Sequence, residues 1–487
     1  MDCKTLRCHM IDSNFFSDGF STEEARTIFC DIRRLQRWLD VEVALAISQA
    51  NLGIIPLSAA EELTQTAQLH LFNLEKVYQP FKNTGHSLIP LLVEWQEVTS
   101  ADSGAFIHYG ATEQDIRDTA QSLEVRDILF IIERDLFQVI EELIGLARKT
   151  RSLVMVGRSH GRHALPTTLG LKIAVWLDEM LRNGERLNEC SKRVLVSQLF
   201  GGVGTMAAFD DKGLDLLNEF SKRLQLSAPH TAWHSARDRM AELLSFMAIL
   251  AGGLGNIANE IFQLTRDEIC ELEGPLYFNK IGSTTIPYNH NPGLCEQVVV
   301  LSKLIKNQTH SGFDALINEH ECDYRSLRLE RVSIPETSLM LCSALNLSKA
   351  ILKNLIIHEN NIRANLDRSV FHTATEAVSF AGESNTNSQK AYELVHNLIM
   401  KAYGENRPLR ELLEENPDIT NQLDSKGLTE LLKHENHIGL APKLTELTIT
   451  AAEEWLASSH PRDLSENTCP LADKHGECIV PMREQPD

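Results

Sequence analysis

Residues 281–292 read Ile281-Gly282-Ser283-Thr284-Thr285-Ile286-Pro287-Tyr288-Asn289-His290-Asn291-Pro292, and this stretch decides how the rest of the chain is interpreted. Its glycine and its consecutive hydroxyl side chains are typical of a loop that opens and closes over a small molecule. The stretch therefore predicts a loop that can cover a bound small molecule.

On both sides of this loop, apolar residues recur at the spacing of long helices. The pattern is sustained over 118–152, 165–195 and 241–272, and strand signals are weak and short. Helices of this length span a whole domain and are typical of a bundle. The sequence therefore predicts an all-α fold. Further helical patterns cover 23–51, 292–306 and 337–366.

The helical pattern divides the chain into four predicted regions. We expect a helical N-terminal domain over 1–112, then a central bundle of long helices over 113–366 that carries the signature loop at 275–292. A small helical C-terminal domain over 367–456 and an irregular tail over 457–487 follow.

Charge and cysteine usage limit the classes of partner. A formal net charge of −20 over 487 residues argues against nucleic acid and against an anionic membrane surface. We expect no signal peptide and, because no uninterrupted apolar run of membrane-spanning length occurs, no transmembrane helix. Ten cysteines without a Cys-x-x-Cys pair favour reduced thiols in a cytoplasmic protein. Cys469, His475 and Cys478 lie close together in the tail, but two free thiols explain them better than a metal site.

Three more stretches of the chain combine histidine, arginine and hydroxyl side chains. They are His-Tyr-Gly-Ala-Thr-Glu-Gln-Asp-Ile-Arg-Asp-Thr-Ala at 108–120, Gly-Arg-Ser-His-Gly-Arg-His-Ala-Leu-Pro-Thr-Thr at 157–168, and Trp-His-Ser-Ala-Arg-Asp-Arg-Met-Ala-Glu at 233–242. In order and spacing, the four blocks resemble those of the fumarase/aspartase superfamily, specifically the branch of adenylosuccinate lyase and class II 3-carboxy-cis,cis-muconate cycloisomerase. The resemblance implies a cofactor-free and metal-free homotetramer whose active sites each combine residues from three chains.

The resemblance also implies catalytic roles for three residues. Ser283 aligns with the general base, His160 with the general acid, and Glu296 with the glutamate that orients the histidine. Imidazole suits proton transfer because its pKa lies near neutral pH. His163 is a rival candidate for the acid. The residues implied to contact substrate carboxylates are His108, Thr112, Ser159, Arg237, Arg239, Asn289 and Asn291. Of Arg237 and Arg239, we expect one to bind substrate and the other an internal carboxylate.

Two residues depart from the family pattern within the site. Asn289 stands where the family has a lysine, and losing such a charge costs roughly 3 kcal/mol of transition-state stabilisation. His290 could take over, the substrate could need less help, or the chain could be catalytically silent. Glu113 replaces a serine, and its carboxylate would repel an anionic substrate unless it points away or is protonated.

These observations favour a cofactor-free β-elimination lyase that cleaves a C–N bond in a succinyl-type di- or tricarboxylate and releases fumarate or a related acid. Lactone chemistry of the carboxymuconate type is the second interpretation. A nucleotide substrate is disfavoured because the serine pair of adenylosuccinate lyase is absent from Leu327-Arg328-Leu329-Glu330-Arg331. A silent, purely structural tetramer is the remaining alternative.

Overall fold

The computed structural model describes residues 9–275, 291–368, 388–405, 407–421 and 424–458. Ser283 and Asn289, together with the tail that holds Cys469 and Cys478, lie outside the described residues. The helices are α1 Glu23–Phe29, α2 Asp31–Asn51, α3 Leu57–Thr66, α4 Leu74–Thr84, α5 Leu88–Glu97, α6 Ala101–Gly104, α7 Glu113–Thr150, α8 Leu169–Val194, α9 Gly213–Arg223, α10 Asp238–Leu264, α11 Gly293–Asp314, α12 Tyr324–Lys353, α13 Glu359–Asp367, α14 Ser388–Glu405, α15 Leu409–Glu415, α16 Pro417–Thr420, α17 Ser425–Leu431 and α18 Ala441–Ser458.

The described strands are short and form two antiparallel pairs. β1 (Val154–Ser159) pairs with β2 (Arg162–Thr168), and β3 (Leu272–Glu273) pairs with β4 (Ile356–Ile357). Short 3₁₀ helices cover Met10–Asp12, Ser17–Gly19, Leu69–Leu71, Asp210–Lys212 and His434–His437. The all-α prediction is confirmed, with these strand pairs as small additions.

Five long helices, α7, α8, α10, α11 and α12, pack against one another and form the main core. The apolar residues that recur along α7 are fully buried in that core, among them Leu129, Ile132 and Leu136. α10 is long and apolar enough to cross a membrane, but 72% of its most apolar window is buried inside the protein. α10 is therefore a central helix of the bundle.

Helix boundaries differ from the predicted ones where tertiary pairing or proline intervenes. The pattern predicted helix from residue 165, but residues 162–168 pair with β1 as strand β2, and α8 begins only at Leu169. α10 ends at Leu264, before β3, so the predicted extension to 272 is wrong. α12 runs through Pro335, and the chain that was predicted as one helix over 337–366 is divided by β4 into α12 and α13.

Two smaller cores lie beside the bundle. One joins α2 to α5 with the first turns of α7 and with α9. The other is formed by α14 to α17. The last helix, α18, returns to the bundle and packs on α8 and α7, where Trp455 lies so close to Gly184 that an added Cβ would be 2.3 Å from the ring. The predicted domain boundaries stay a prediction.

Candidate active site

The first predicted block begins at a histidine with a buried acidic partner. His108 has a φ of 60°, and its Nδ1 lies 2.6 Å from Oε1 of Glu42, which α2 holds in the interior. Burial works against a charged imidazole, but the hydrogen bond and the charge of Glu42 outweigh it, so the pKa of His108 is raised. The pair favours an imidazolium at the start of this block, the form that attracts a substrate carboxylate.

Thr112 is the residue that precedes α7, and a buried aspartate fixes its position. The Thr112 amide donates to Asp115 Oδ2 at 3.1 Å. The same carboxylate accepts from the amides of Phe200 and Gly201 at 3.0 and 2.9 Å and lies 3.1 Å from His234 Nε2. Asp115 is fully buried, so it joins the first block to the third block in the interior and holds the Thr112 backbone rigidly.

Glu113, the departure in this block, is paired with neighbouring side chains of the same chain. His86 Nε2 lies 3.0 Å from its Oε2, Ser87 Oγ donates to its Oε1 at 3.2 Å, and Arg117, one helical turn further on, donates to the same oxygen. The carboxylate that stands in place of the family serine is therefore compensated within the chain, which reduces the repulsion expected for an anionic substrate.

The third block separates its two arginines. Arg237 is 1% exposed; it donates to Asp118 at 2.9 and 3.1 Å and to Glu330 at 2.7 Å. Burial works against its charge, but the two carboxylates outweigh that effect and raise the pKa of Arg237. Arg239 is half-buried and donates to the carbonyl of Arg193 at 3.1 Å. Arg237 thus neutralises internal carboxylates, and a substrate contact by either arginine stays a prediction.

The second block forms the hairpin of β1 and β2, with Ser159 and His160 exposed at its tip. His160 has a φ of 53°. Behind the tip, Arg158 makes two hydrogen bonds to the fully buried Glu271, at 2.8 and 2.6 Å. Partial burial, followed by the charge of Arg158, lowers the pKa of His163. A lowered pKa makes His163 a weaker candidate for the general acid, and the assignment of that role to His160 stays a prediction.

Glu296 and Asn291 lie at the start of α11, and both are exposed. Within the described part of one chain, no hydrogen bond joins His160 to Glu296, so their predicted pairing stays a prediction. Among the residues that the structure describes, no group of three His, Cys, Asp or Glu side chains could hold a metal ion. The candidate tail ligands Cys469, His475 and Cys478 are outside that part.

The comparisons with known proteins agree with this architecture. A family model described as lyase matches residues 21–305, more than half of the chain. This chain belongs to that lyase family, and the resemblance to the fumarase/aspartase superfamily is confirmed. A second model, for the adenylosuccinate lyase C-terminus, matches residues 372–447 of this lyase.

Relatives of this lyase match over nearly their whole length. N-acetyl-S-(2-succino)cysteine lyase of Dickeya dadantii is 37% identical, over 92% of this chain and 98% of that protein. Adenylosuccinate lyase of Pyrococcus horikoshii is 37% identical, over 89% and 97%. Trans-aconitate decarboxylase 1 of Mycosarcoma maydis is 30% identical, over 87% and 86%.

Solved structures show the same fold. The 3-carboxy-cis,cis-muconate lactonizing enzyme of Pseudomonas putida superposes with a TM-score of 0.84 at 29% identity, covering 91% of this chain and 100% of that one. A fumarate lyase from Mesorhizobium sp. BNC1 gives 0.82 at 33% identity, covering 88% and 98%.

Sequence reasoning did not identify several residues that shape this region. Glu42, His86 and Tyr324 lie outside the four blocks, and Arg117 lies inside one without an assigned role. Their contacts join segments far apart in sequence; Arg117 Nη1, for example, donates to the Tyr324 hydroxyl across 207 positions. The one available signal was the spacing of Glu113 and Arg117, which is that of a helical ion pair.

Proposed function

We propose that this lyase catalyses β-elimination on a succinyl-type substrate, breaking the bond between a succinyl carbon and a sulfur or nitrogen atom and releasing fumarate. The observation that carries the proposal is the similarity, over about nine-tenths of the chain, to two lyases whose names both contain a succino group. One of those names specifies a thioether and the other a purine amine, so the shared part is the succinyl half.

In the proposed reaction, Ser283 takes the proton from the carbon beside a carboxylate. The electron pair of that C–H bond forms the new C=C bond, the bond to the leaving atom breaks, and His160 gives its proton to the leaving atom. Thr112, Asn291 and the imidazolium of His108 hold the carboxylates. Glu296 orients His160, and Asn289 donates a hydrogen bond to the charge that develops on the carboxylate.

Asn289 favours sulfur over nitrogen as the leaving atom. A thiol has a pKa near 8.5, whereas an alkylamine is a much stronger base, so a thiolate leaves more readily. An enzyme without the family lysine gives less stabilisation to the carbanion-like state, and a better leaving group offsets that loss. A C–S substrate therefore replaces the C–N substrate as the first candidate.

The proposed site needs more than one chain. His160 is exposed at a hairpin tip and Glu296 is exposed at a helix start, and in the described part of one chain they are not bonded to each other. A homotetramer with sites shared by three chains would bring these side chains together. We also propose a cytoplasmic location, which the free cysteines at 30, 190, 270, 295, 322 and 342 support.

The test is the release of fumarate, followed by absorbance, from N-acetyl-S-(2-succino)cysteine, adenylosuccinate, argininosuccinate and aspartate, with carboxymuconate and trans-aconitate as substrates for the alternative chemistries. We expect fumarate from the thioether with the wild-type enzyme and a loss of at least about a thousandfold with Ser283→Ala. Thr309→Ala, which removes a half-buried hydroxyl that donates only to the Lys306 carbonyl of the same helix, serves as the control.

Fumarate release at the same rate from wild type and Ser283→Ala would contradict the role given to Ser283, and no product from any of these compounds with wild type would support a structural tetramer. Turnover of carboxymuconate or trans-aconitate in place of the succinyl compounds would replace elimination with lactone chemistry or decarboxylation.

A further inference from the structure

The hairpin of β1 and β2 carries His160 in a turn whose backbone is unusual for a histidine. Ser159 pairs with Arg162, so the turn has two central residues, His160 and Gly161, with φ values of 53° and 74°. Positive φ at both positions matches the twist of a hairpin, and it favours glycine or asparagine. A histidine there is strained, and it holds that conformation only where the surrounding structure imposes it.

Below the turn, a bulge bends the hairpin. The pairing register shifts between Val156 and Arg158, so Gly157 faces an extra residue of β2, and a Cβ on Gly157 would lie 2.7 Å from the carbonyl oxygen of Leu165. Bulges re-aim the side chains beside them. The Arg158 side chain, which follows this bulge, is only 15% exposed. The hairpin therefore directs a cation into the protein while the tip beyond it remains exposed.

A buried carboxylate receives that cation. Arg158 donates from Nη1 and Nη2 to Glu271 at 2.8 and 2.6 Å, and Asn365 of α13 donates to the same fully buried carboxylate at 2.9 Å. The Glu271 amide donates to the carbonyl of Leu264, and the Glu271 carbonyl accepts from the amide of His358. Because the two parallel bonds of a guanidinium fix orientation as well as distance, Arg158 is tied to a point that the ends of α10 and β4, together with α13, hold in place.

The base of the hairpin is also packed on both sides. α13 packs against β1, and the 3₁₀ helix His434–His437 packs against β2. Arg363 of α13 donates to Glu435 of that 3₁₀ helix at 2.6 Å, so the two flanking elements are bonded to each other. Support for the hairpin is therefore concentrated at its base, and the position of the exposed tip depends on how firmly that base is held.

We propose that Arg158 and Glu271 are positioning residues for the elimination, because their ion pair fixes the hairpin in the position from which His160 reaches the leaving atom. The inference rests on the proposed function. Both residues act through His160, which lies two residues after Arg158. A misplacement of about 1 Å near a reacting group costs on the order of a hundredfold in rate, so a loosened hairpin would keep substrate binding and lose proton transfer.

The experiment compares two succinyl thioethers of nearly equal size, formed with ethanethiol and with 2,2,2-trifluoroethanethiol. Fluorine stabilises the departing thiolate, so the second compound depends less on a proton from His160. We expect Glu271→Gln to lower kcat at least about tenfold with the first compound and at most about threefold with the second, with KM nearly unchanged for both. A merely structural carboxylate would lower both rates by the same factor.

Variants of Arg158 and a remote carboxylate complete the set. Arg158→Lys keeps the charge without the fork, so its kcat with the ethanethiol compound should lie between those of wild type and Arg158→Met. Arg158 is partly exposed, and these variants carry the test where Glu271→Gln does not fold in a thermal melt. Asp135→Asn is the matched control: Asp135 is a buried carboxylate of α7 that pairs with Lys349 at 2.8 Å, and this variant should keep the wild-type kcat.

Hydrogen exchange followed by mass spectrometry tests the anchor without substrate. The amides of residues 154–163 should exchange at least about tenfold faster in Glu271→Gln and in Arg158→Met than in the wild-type enzyme, because the opening of the hairpin is no longer opposed by the ion pair. Asp135→Asn should leave that exchange unchanged.

Equal losses of kcat with the two thioethers, or no loss while the wild-type enzyme releases fumarate, would overturn the inference and leave the proposed function standing. Unchanged exchange in the hairpin would overturn it as well. Absence of fumarate from every succinyl compound with wild type would contradict the elimination; faster hairpin exchange in Glu271→Gln would then establish the anchor alone, and the positioning role would be lost together with the reaction.

Discussion

At the scale of single residues, the candidate site differs from its family pattern by exchanges of charge. Glu113 adds a carboxylate where the family has a serine, and the chain surrounds that carboxylate with His86 and Arg117. Asn289 removes a cation. The loss of the cation at Asn289 favours a substrate that needs less stabilisation of negative charge, which is the physical reason for preferring a thiolate leaving group.

Asn289→Lys tests this reasoning. Restoring the ammonium group should raise the rate with an amine-leaving substrate such as adenylosuccinate more than with a succinyl thioether, by roughly one to two orders of magnitude in the ratio. The measurement is kcat/KM for both substrates with both enzymes, and Asn289→Ala shows what the amide itself contributes. An unchanged ratio would show that the missing lysine does not set the choice of leaving atom.

A second prediction concerns the His108–Glu42 pair. Because the folded-state pKa of His108 is raised, its stabilising contribution is fully present below the unfolded value of about 6.5 and is lost as pH rises through the folded pKa. Glu42→Gln should lower the pKa of His108 and should reduce the free energy of unfolding by roughly 1–2 kcal/mol at pH 5.5, with a smaller loss at pH 9. Imidazole NMR titration and urea unfolding at both pH values check it. A greater loss at pH 9 than at pH 5.5 would contradict the assigned pairing.

At the scale of elements, the apolar pattern predicted the long helices but not the strand pairing and the packing that set where they begin and end. Apolar spacing identified the bodies of α7, α8 and α10 because each has a buried face that repeats along its whole length. The β1–β2 hairpin was missed because residues 166–168 become strand only through pairing with 154–156. The start of α12 was missed because Pro335 usually breaks a helix, whereas packing on α10 and α11 carries this helix through it.

Prediction of the candidate site from the sequence was limited in the same way as prediction of the helix ends. The four blocks predict where the chemistry lies, which stays a prediction, and they do not indicate how the side chains are partnered. Glu42 meets His108 across 66 positions, and Tyr324 meets Arg117 across 207. Contacts of this kind depend on the packing of α2, α7 and α12, and no local pattern in a single sequence encodes them.

The contact between α8 and α18 gives a prediction about stability. A Cβ at Gly184 would lie 2.3 Å from the Trp455 ring, so Gly184→Ala should force α18 away from the bundle and lower the free energy of unfolding by roughly 1–3 kcal/mol. Gly145→Ala on α7 is the control, because its Cβ meets nothing within 4 Å and the change should stabilise the helix by about 0.5–1 kcal/mol. Chemical unfolding measures both variants. A Gly184→Ala protein at least as stable as the wild type would show that the contact between α8 and α18 has room for the added methyl group.

At the scale of the whole molecule, the proposed assembly has a direct test by complementation. Ser283→Ala and His160→Ala should each be inactive alone. If the two residues of one site come from different chains, hybrids formed by unfolding and refolding the variants together should recover up to roughly one quarter of wild-type activity. Two batches refolded separately and then mixed form the control. Absence of any recovery in the hybrids would show that both residues act from the same chain.

The position of α18 has a consequence for how the protein is made. Gly184 leaves the ribosome 271 residues before Trp455, so at cellular rates of synthesis the surface that α18 covers waits on the order of tens of seconds for its partner. During translation the unfinished bundle therefore exposes to chaperones the apolar surface of α7 and α8 that α18 later covers. A chain truncated before residue 441 would expose that apolar surface permanently.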